Sequence, residues 1–280
     1  MPKSSLLEKV LFPPVRLHSR KLALAAEGKT ILITGASSGI GEQLAYLLAP
    51  CRAHLILVAR RADKLNAMKQ HIEREQAKVS VYSADLRNED EMAELLSNLN
   101  GLPDGLDIIV SNAGLSIKRS IWNSLDRHHD FKRTMAINYL APVQLLLSAL
   151  PELERRKGHI INVSTINASL LPIPHWSAYQ ASKSAFDVWL RSIAPELNAK
   201  GIATTSIYLP LVRTPMILPT EAYRNMPAMS AVHAAQTIAK SMYTRRAKYA
   251  PWWLFGGQLA SVLLRGAWDK VAPALLRRRR

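Results

Sequence analysis

A single cysteine, Cys51, excludes any internal disulfide framework and suits a reducing compartment, so a cytoplasmic location is expected. The start of the chain lacks a signal peptide's order of basic residues, apolar stretch and small-residue cleavage site. No uncharged apolar run reaches the ~18 residues of a spanning helix. The nearest, residues 249–264, contains Pro251, Gly256, Gly257 and Gln258. Histidines are scattered and acids are not spaced to join them, so no metal site is expected. Internal repeats, low-complexity linkers and nucleic-acid-reading motifs are lacking as well. Acidic residues are scarce: 21 against 37 lysines and arginines, for a net charge of +16.

That imbalance lies at the two ends. Residues 1–29 hold six basic and two acidic groups, and residues 245–280 hold nine basic groups against Asp269 alone. The 215 residues between carry 22 basic and 18 acidic groups, a near balance. Basic ends point to an anionic partner or to solubility tails.

What is present is a strand–helix alternation. β-branched apolar runs at 30–34, 54–59, 78–84, 106–111, 159–164 and 202–208 are separated by helix-period segments such as 41–48, 63–76, 89–99 and 178–197. This predicts an α/β fold: a doubly wound, Rossmann-type parallel sheet with helices on both faces. Residues 248–250 are a candidate edge strand. The division expected is a basic extension over 1–28, one doubly wound domain over 29–250, and a basic, Trp-rich tail over 251–280.

The first strand runs into TGASSGIG, in which Gly35, Ser37, Ser38, Gly39, Ile40 and Gly41 form a turn before a helix. Glycine lets a ligand approach the main chain, and the free N–H groups at a helix start suit a pyrophosphate. The second strand ends in LVARRADKL. An acid at this place would bond an adenine ribose, whereas Arg60 and Arg61 suit a 2′-phosphate, so NADP is expected over NAD. Asp85, followed by Leu86, ends the third strand, where its carboxylate is placed to accept from an adenine amino group. The fourth strand ends in SNAG, where Asn112, Ala113 and Gly114 allow close passage to the cofactor and Asn112 can tie strand ends together.

Tyr179 and Lys183, in YQASK, share a helix face at i and i+4. A phenol titrates near ~10, and a neighbouring ammonium is expected to lower it toward working pH. Ser164 ends the preceding strand, fifteen residues upstream, with a hydroxyl for a substrate oxygen. Together these suit a carbonyl/alcohol pair exchanging a proton while a nicotinamide carries hydride.

Taken in order, TGASSGIG, SNAG, Asn138 in MAINYLAP, Ser164 and YQASK resemble the short-chain dehydrogenase/reductase family in its GxxxGxG branch, over about residues 29–216. The resemblance implies a catalytic set of Asn138, Ser164, Tyr179 and Lys183. Tyr179 would be the general acid/base, Lys183 would also bond the nicotinamide ribose, Ser164 would polarise the carbonyl, and Asn138 would hold a water in a proton relay. The family's NNAG reads SNAG here, and its Pro-Gly after the sixth strand becomes Leu209-Pro210, while Val212 and Thr214 keep the pattern that contacts nicotinamide amide and phosphate.

Residues 215–229, with three Met, one Tyr and three Pro, suit an adaptable apolar cavity. With SIKRS after SNAG, this looks like family members acting on lipid-like ketones and aldehydes, so a lipophilic small-molecule substrate is expected. Lys118 and Arg119 are either a contact for an acidic head group or a solvated pair. His175, four residues before Tyr179, is either a substrate contact or loop packing. The tail's three Trp, helical apolar stripe and terminal arginines describe an interfacial helix for an anionic membrane surface. Residues 5–24 are a weaker version interrupted by Pro13-Pro14. The tail's alternative is packing in a homo-oligomer, a dimer or tetramer. The alternatives in function are oxidation of a sterol, retinoid or polyol alcohol, or a non-catalytic cofactor-binding scaffold.

Overall fold

Strands form where apolar runs cross a sheet covered on both faces, and helices form where the apolar period is near 3.6. The computed structural model describes residues 6–218, 220–223 and 226–277. Its strands are β1 (Thr30–Thr34), β2 (His54–Ala59), β3 (Lys78–Ser83), β4 (Ile108–Ser111), β5 (His159–Thr165), β6 (Ala203–Leu209), β7 (Val212–Arg213), β8 (Met229–Ser230) and β9 (Lys248–Tyr249). The helices are α1 (Leu6–Leu11), α2 (Ser19–Ala26), α3 (Gly39–Leu48), α4 (Ala62–Ile72), α5 (Glu89–Asn100), α6 (His128–Met135), α7 (Ala141–Arg156), α8 (Ser177–Ala199), α9 (Ala231–Thr244), α10 (Leu254–Leu263) and α11 (Arg265–Arg277).

Seven strands make one parallel sheet in the order β3-β2-β1-β4-β5-β6-β9. The expected Rossmann-type fold is therefore present, with residues 248–249 at the sheet edge. The order reverses between β1 and β4, and the crevice beyond the carboxyl ends of these strands is where such sheets bind ligands. Alternation along β1 sends Ile31 and Ile33 to the core shared with α3, α4 and α9, and Leu32 to the core shared with α5, α7 and α8.

Two elements were not read from the sequence. Helix α9 packs on α3 and closes one face. Helices α6 and α7 are one run from residue 128 to 156, joined by a π turn, Ala136–Leu140, that contains Asn138. This run is long and apolar enough to cross a membrane by length and composition. Its Leu145, Leu146, Ala149 and Leu153 are buried against the sheet.

At the end of the central strands opposite the crevice, buried Asp107 ties the start of β4 to that of β1. It accepts from Lys29 (2.9 Å), Arg156 (2.9 Å) and the Thr30 amide (3.0 Å). The described residues of the terminal extensions pack on this body. α2 rests on α9, and the Trp252 and Trp253 indoles donate to the carbonyls of Val10 (3.1 Å) and Leu11 (3.3 Å). The tail is helical as expected, but as two helices, and Arg278–Arg280 lie outside the described residues.

Candidate active site

The turn between β1 and α3 is built on glycine for steric reasons. Gly35 and Gly39 have φ of +66° and +61°. A Cβ on Gly35 would meet the Ala113 backbone at 2.9 Å, and one on Gly41 would meet the Gly35 carbonyl at 2.6 Å. A Cβ on Gly39 would come within 2.9 Å of the Thr214 side chain, so the turn also packs on the loop after β7. Asn112 ties β4 to β1 as expected: its Nδ2 donates to the Thr34 carbonyl (2.9 Å), and its amide donates to Thr34 Oγ1 (3.0 Å).

A crevice of about 1010 Å³ opens over this turn. Gly35, Ser37, Ser38, Gly39, Ile40, Arg60, Arg61, Asp85, Leu86, Asn112, Ala113, Gly114, Ser164, Tyr179, Lys183, Val212 and Thr214 all line it. Gly41 and Asn138 do not, because each stands behind a lining residue. At the adenine end, Arg61 donates through Nη2 to the Ser37 carbonyl (2.9 Å) and to Ser37 Oγ (3.0 Å). The Asp85 carboxylate accepts from Arg87 Nε (2.9 Å) and lies 3.8 Å from Arg60 Nη1. The hydrogen bonds from Arg87 hold the Asp85 carboxyl below its ordinary range. Its acceptor sites thus meet Arg87 before any adenine, and Arg87 is a third guanidinium at this end that the sequence reading did not single out.

At the nicotinamide end, the strand's two-residue period separates two neighbouring hydroxyls. Ser164 Oγ is turned toward Asp187 Oδ1, 3.5 Å away on α8. The next residue, Thr165, accepts from the Asn167 amide (3.3 Å), and its hydroxyl is the one that acts on the Tyr179 phenol. Ser164 and Thr165 both line the crevice. Lys183 is buried and donates to the Val163 carbonyl (3.1 Å). Burial lowers its amine to about 8, with Asp187 opposing that shift. Burial also raises the Tyr179 phenol, opposed by the Thr165 hydrogen bond. This direction is opposite to the expected ammonium effect: burial is the largest cause, and the opposing one comes from Thr165.

Asn138 spends its side chain on protein. Its Nδ2 donates to the Leu115 carbonyl and to Ser182 Oγ, both at 2.9 Å, and its Oδ1 accepts from the Leu115 amide at 2.9 Å. It fastens the loop after β4 to α8 one residue before Lys183.

The substrate side is apolar, as expected. Trp176, not exposed His175, faces the crevice, and it stacks on Tyr223 (5.5 Å, 18°) and meets Tyr179 edge-on (6.1 Å). His175 has a left-handed backbone (φ +70°), and its carbonyl accepts from the Arg119 amide. The Arg119 side chain is paired with buried Asp130 (3.0 Å), while Lys118 lines the crevice. Met216, Ile217 and Met226 contribute from the 215–229 loop; Pro219, Arg224 and Asn225 of that loop lie outside the described residues. Leu11, Phe12 and Trp253 complete the wall from the terminal extensions, a contribution not read from the sequence. Glu8 secures it: this buried carboxylate accepts from Arg213 and from the Ala228 amide (3.1 Å), at the two ends of the substrate loop.

Comparison with known proteins agrees with this arrangement. The short chain dehydrogenase family model matches residues 29–225. A fatty acyl-CoA reductase from Acinetobacter baylyi is 41% identical over 237 residues, covering 84% of this chain and 79% of that protein. A fatty acyl-CoA reductase from Mycobacterium tuberculosis is 40% identical over 225 residues, covering 80% and 76%. Among solved structures, a short-chain dehydrogenase from Sphingobium yanoikuyae in complex with NADPH superposes with a TM-score of 0.73 at 23% identity, over 89% of this chain and 95% of that one, a likeness of fold.

Proposed function

The chain belongs to the short chain dehydrogenase family, and from that premise we propose that this oxidoreductase of CH–OH and C=O groups is an NADP(H)-dependent reductase of a lipophilic carbonyl, such as a long-chain acyl or β-keto acyl compound. The observation that carries the reading is Tyr179 and Lys183 on one helix face, beside Thr165, in a crevice that runs from a glycine cradle to an apolar chamber. The fatty acyl-CoA reductases among its relatives support a lipid substrate.

The residues fit a phosphorylated dinucleotide. The cradle is one that a Cβ at Gly35, Gly39 or Gly41 would fill. The N–H groups at the start of α3 suit its pyrophosphate. Arg60, Arg61 and Arg87 suit a 2′-phosphate, and Asp85 is already paired. When bound, NADPH supplies the hydride. Tyr179 then gives its proton to the carbonyl oxygen, and Thr165 donates a hydrogen bond to that same oxygen. Lys183, charged below about pH 8, keeps positive charge beside the phenol as the proton leaves. Asn138 holds the Leu115 loop and α8 in register with one another. Trp176, Tyr223 and Met216 enclose the acyl chain and exclude water.

The test is NADPH oxidation with long-chain aldehydes, β-keto acyl substrates, sterols and polyols. Tyr179→Phe is expected to lose ~10³-fold or more in kcat. Equal turnover by that variant would remove the phenol from the chemistry. Arg60→Ala is expected to weaken NADPH ~10-fold more than NADH, measured by fluorescence titration. An unchanged preference would place the phosphate contact elsewhere.

On the same reading, residues 29–250 carry the chemistry, and residues 1–28 and 251–280 are walls and contacts added to it. The tail meets an anionic membrane surface. Exposed Leu140, Leu147 and Val188 on α7, its π turn and α8 support a homo-oligomer, which light scattering would detect.

A further inference from the structure

Two helices are built inside out. On α1 the charged residue Glu8 is buried, while Leu6, Leu7 and Val10 face solvent, Leu6 at 80% exposure. On α10 the buried Leu254 and the hydroxyl of Ser261, which accepts from the Leu171 amide, face the protein. The opposite side carries Phe255, Leu259, Val262 and Leu263, with Phe255 at 76% exposure and Trp252 just before the helix at 67%. Soluble monomers seldom leave so many large apolar side chains side by side in water.

These surfaces adjoin one another and the mouth of the crevice. The Trp252 indole bonds the Val10 carbonyl, joining the two helices. Leu11, at the end of α1, and Trp253, beside Trp252, both line the crevice. Glu8 reaches Arg213 and Ala228, which bracket the loop whose Met216, Leu218 and Met226 are exposed. The apolar exterior is thus continuous with the apolar lining of the site. Exposed cations lie on α1 and on α11, the helix that follows and contacts α10: Lys9, Arg265, Lys270 and Arg277, with Asp269 as the acid of α11. An apolar ridge with tryptophan at its seam and cations at its rim is complementary to lipid acyl chains beneath anionic head groups.

We propose that α1, α10 and the exposed rim of the substrate loop form one docking face for an anionic bilayer, onto which the crevice opens. A substrate dissolved in the membrane enters the site from this face without crossing water. The inference rests on the lipophilic-carbonyl reading for what enters, but not for the docking itself.

The experiment is flotation of the full chain with vesicles of phosphatidylcholine, with and without phosphatidylglycerol, alongside NADPH turnover of a short water-soluble aldehyde. The native chain is expected to float with the anionic vesicles. Either Val10→Asp or Phe255→Asp is expected to weaken binding ~10-fold or more, with short-aldehyde turnover unchanged. Brominated lipid is expected to quench tryptophan fluorescence of the native chain, and less so in Trp252→Phe, a readout that does not require the charged variants to fold. Loss on Phe255→Asp but not on Val10→Asp would overturn the composite face. No flotation of the native chain, with either variant shifting a dimer to a monomer in light scattering, would make the face a contact between two copies and overturn the proposal. Vesicle binding without turnover on any carbonyl would instead remove the reductase reading and leave the face standing.

Discussion

At the residue scale, the decisive detail is a one-residue choice along β5. Ser164 and Thr165 are both hydroxyl residues at a strand end, and a count from Tyr179 does not separate them. On the reading proposed above the role is Thr165's, because neighbouring strand residues point oppositely and Ser164 Oγ is turned to Asp187. Thr165→Val is therefore expected to lower kcat ~10²-fold, the usual loss for one donor at a developing oxyanion, whereas Ser164→Ala stays within a few-fold. The reverse ranking in steady-state assays would return the role to Ser164. Lys183 gives a pH test. Its folded pKa, about 8, lies below the ~10.4 of an unfolded lysine. Below about pH 8 the fold bears the full cost of a buried charge. From there to ~10.4 the folded amine is neutral while the unfolded one is charged, so stability rises with pH. Carbonyl reduction is expected to fall above about pH 8 as that charge is lost. Lys183→Met should be inactive yet more stable at pH 7 by roughly 1–3 kcal/mol, a gap that denaturant melts should see close by pH 10.

At the element scale, the turns, caps and helix faces decide what the crevice is made of. The β1–α3 turn was legible because only glycine satisfies positive φ and close backbone contact at once. The long helix of residues 128–156 was not legible, since its apolar faces, polar π turn and charged ends blur the period. Helix α1 shows how a buried charge misleads: Glu8 reads as a surface acid in sequence, but it latches the substrate loop. Glu8→Gln is expected to raise KM for a long-chain substrate ~3–10-fold with little change in kcat, the pattern of a loosened binding wall. Faster amide exchange at Ala228, the residue whose N–H Glu8 accepts, should accompany it. Unchanged exchange there would show that the latch does not hold the loop.

At the scale of the whole molecule, the sheet is braced by Asp107 at the amino ends of its central strands and opened to ligands at their carboxyl ends. Burial raises the Asp107 carboxyl, yet the bonds from Arg156, Thr30 and Lys29 outweigh it and leave the group below its ordinary range. A carboxyl lowered in the fold contributes stability above its unfolded pKa, and that contribution is lost as pH falls through the folded value. Asp107→Asn is expected to cost about 3 kcal/mol at neutral pH, since Arg156 loses its buried partner. The difference from the native chain should shrink in urea melts near pH 3. A constant difference across that range would mean that Asp107 is not the titrating brace.

Local rules were enough for much of this protein. Apolar runs bounded by breakers set the strands, glycine spacing set the turn over which the crevice opens, and short spacings singled out Arg60, Arg61, Tyr179 and Lys183, which all line it, because each depends on residues adjacent in the chain or one helical turn apart. Only the tertiary structure could turn His175 outward and Trp176 inward, and carry Leu11, Phe12 and Trp253 from the two ends of the chain to a single wall. Those facts depend on which face of an element is buried and on contacts across 200 residues or more, such as Glu8 with Arg213. A one-dimensional pattern does not encode such distances, whereas packing decides them by excluding every arrangement that leaves apolar surface unburied or a buried charge unpaired.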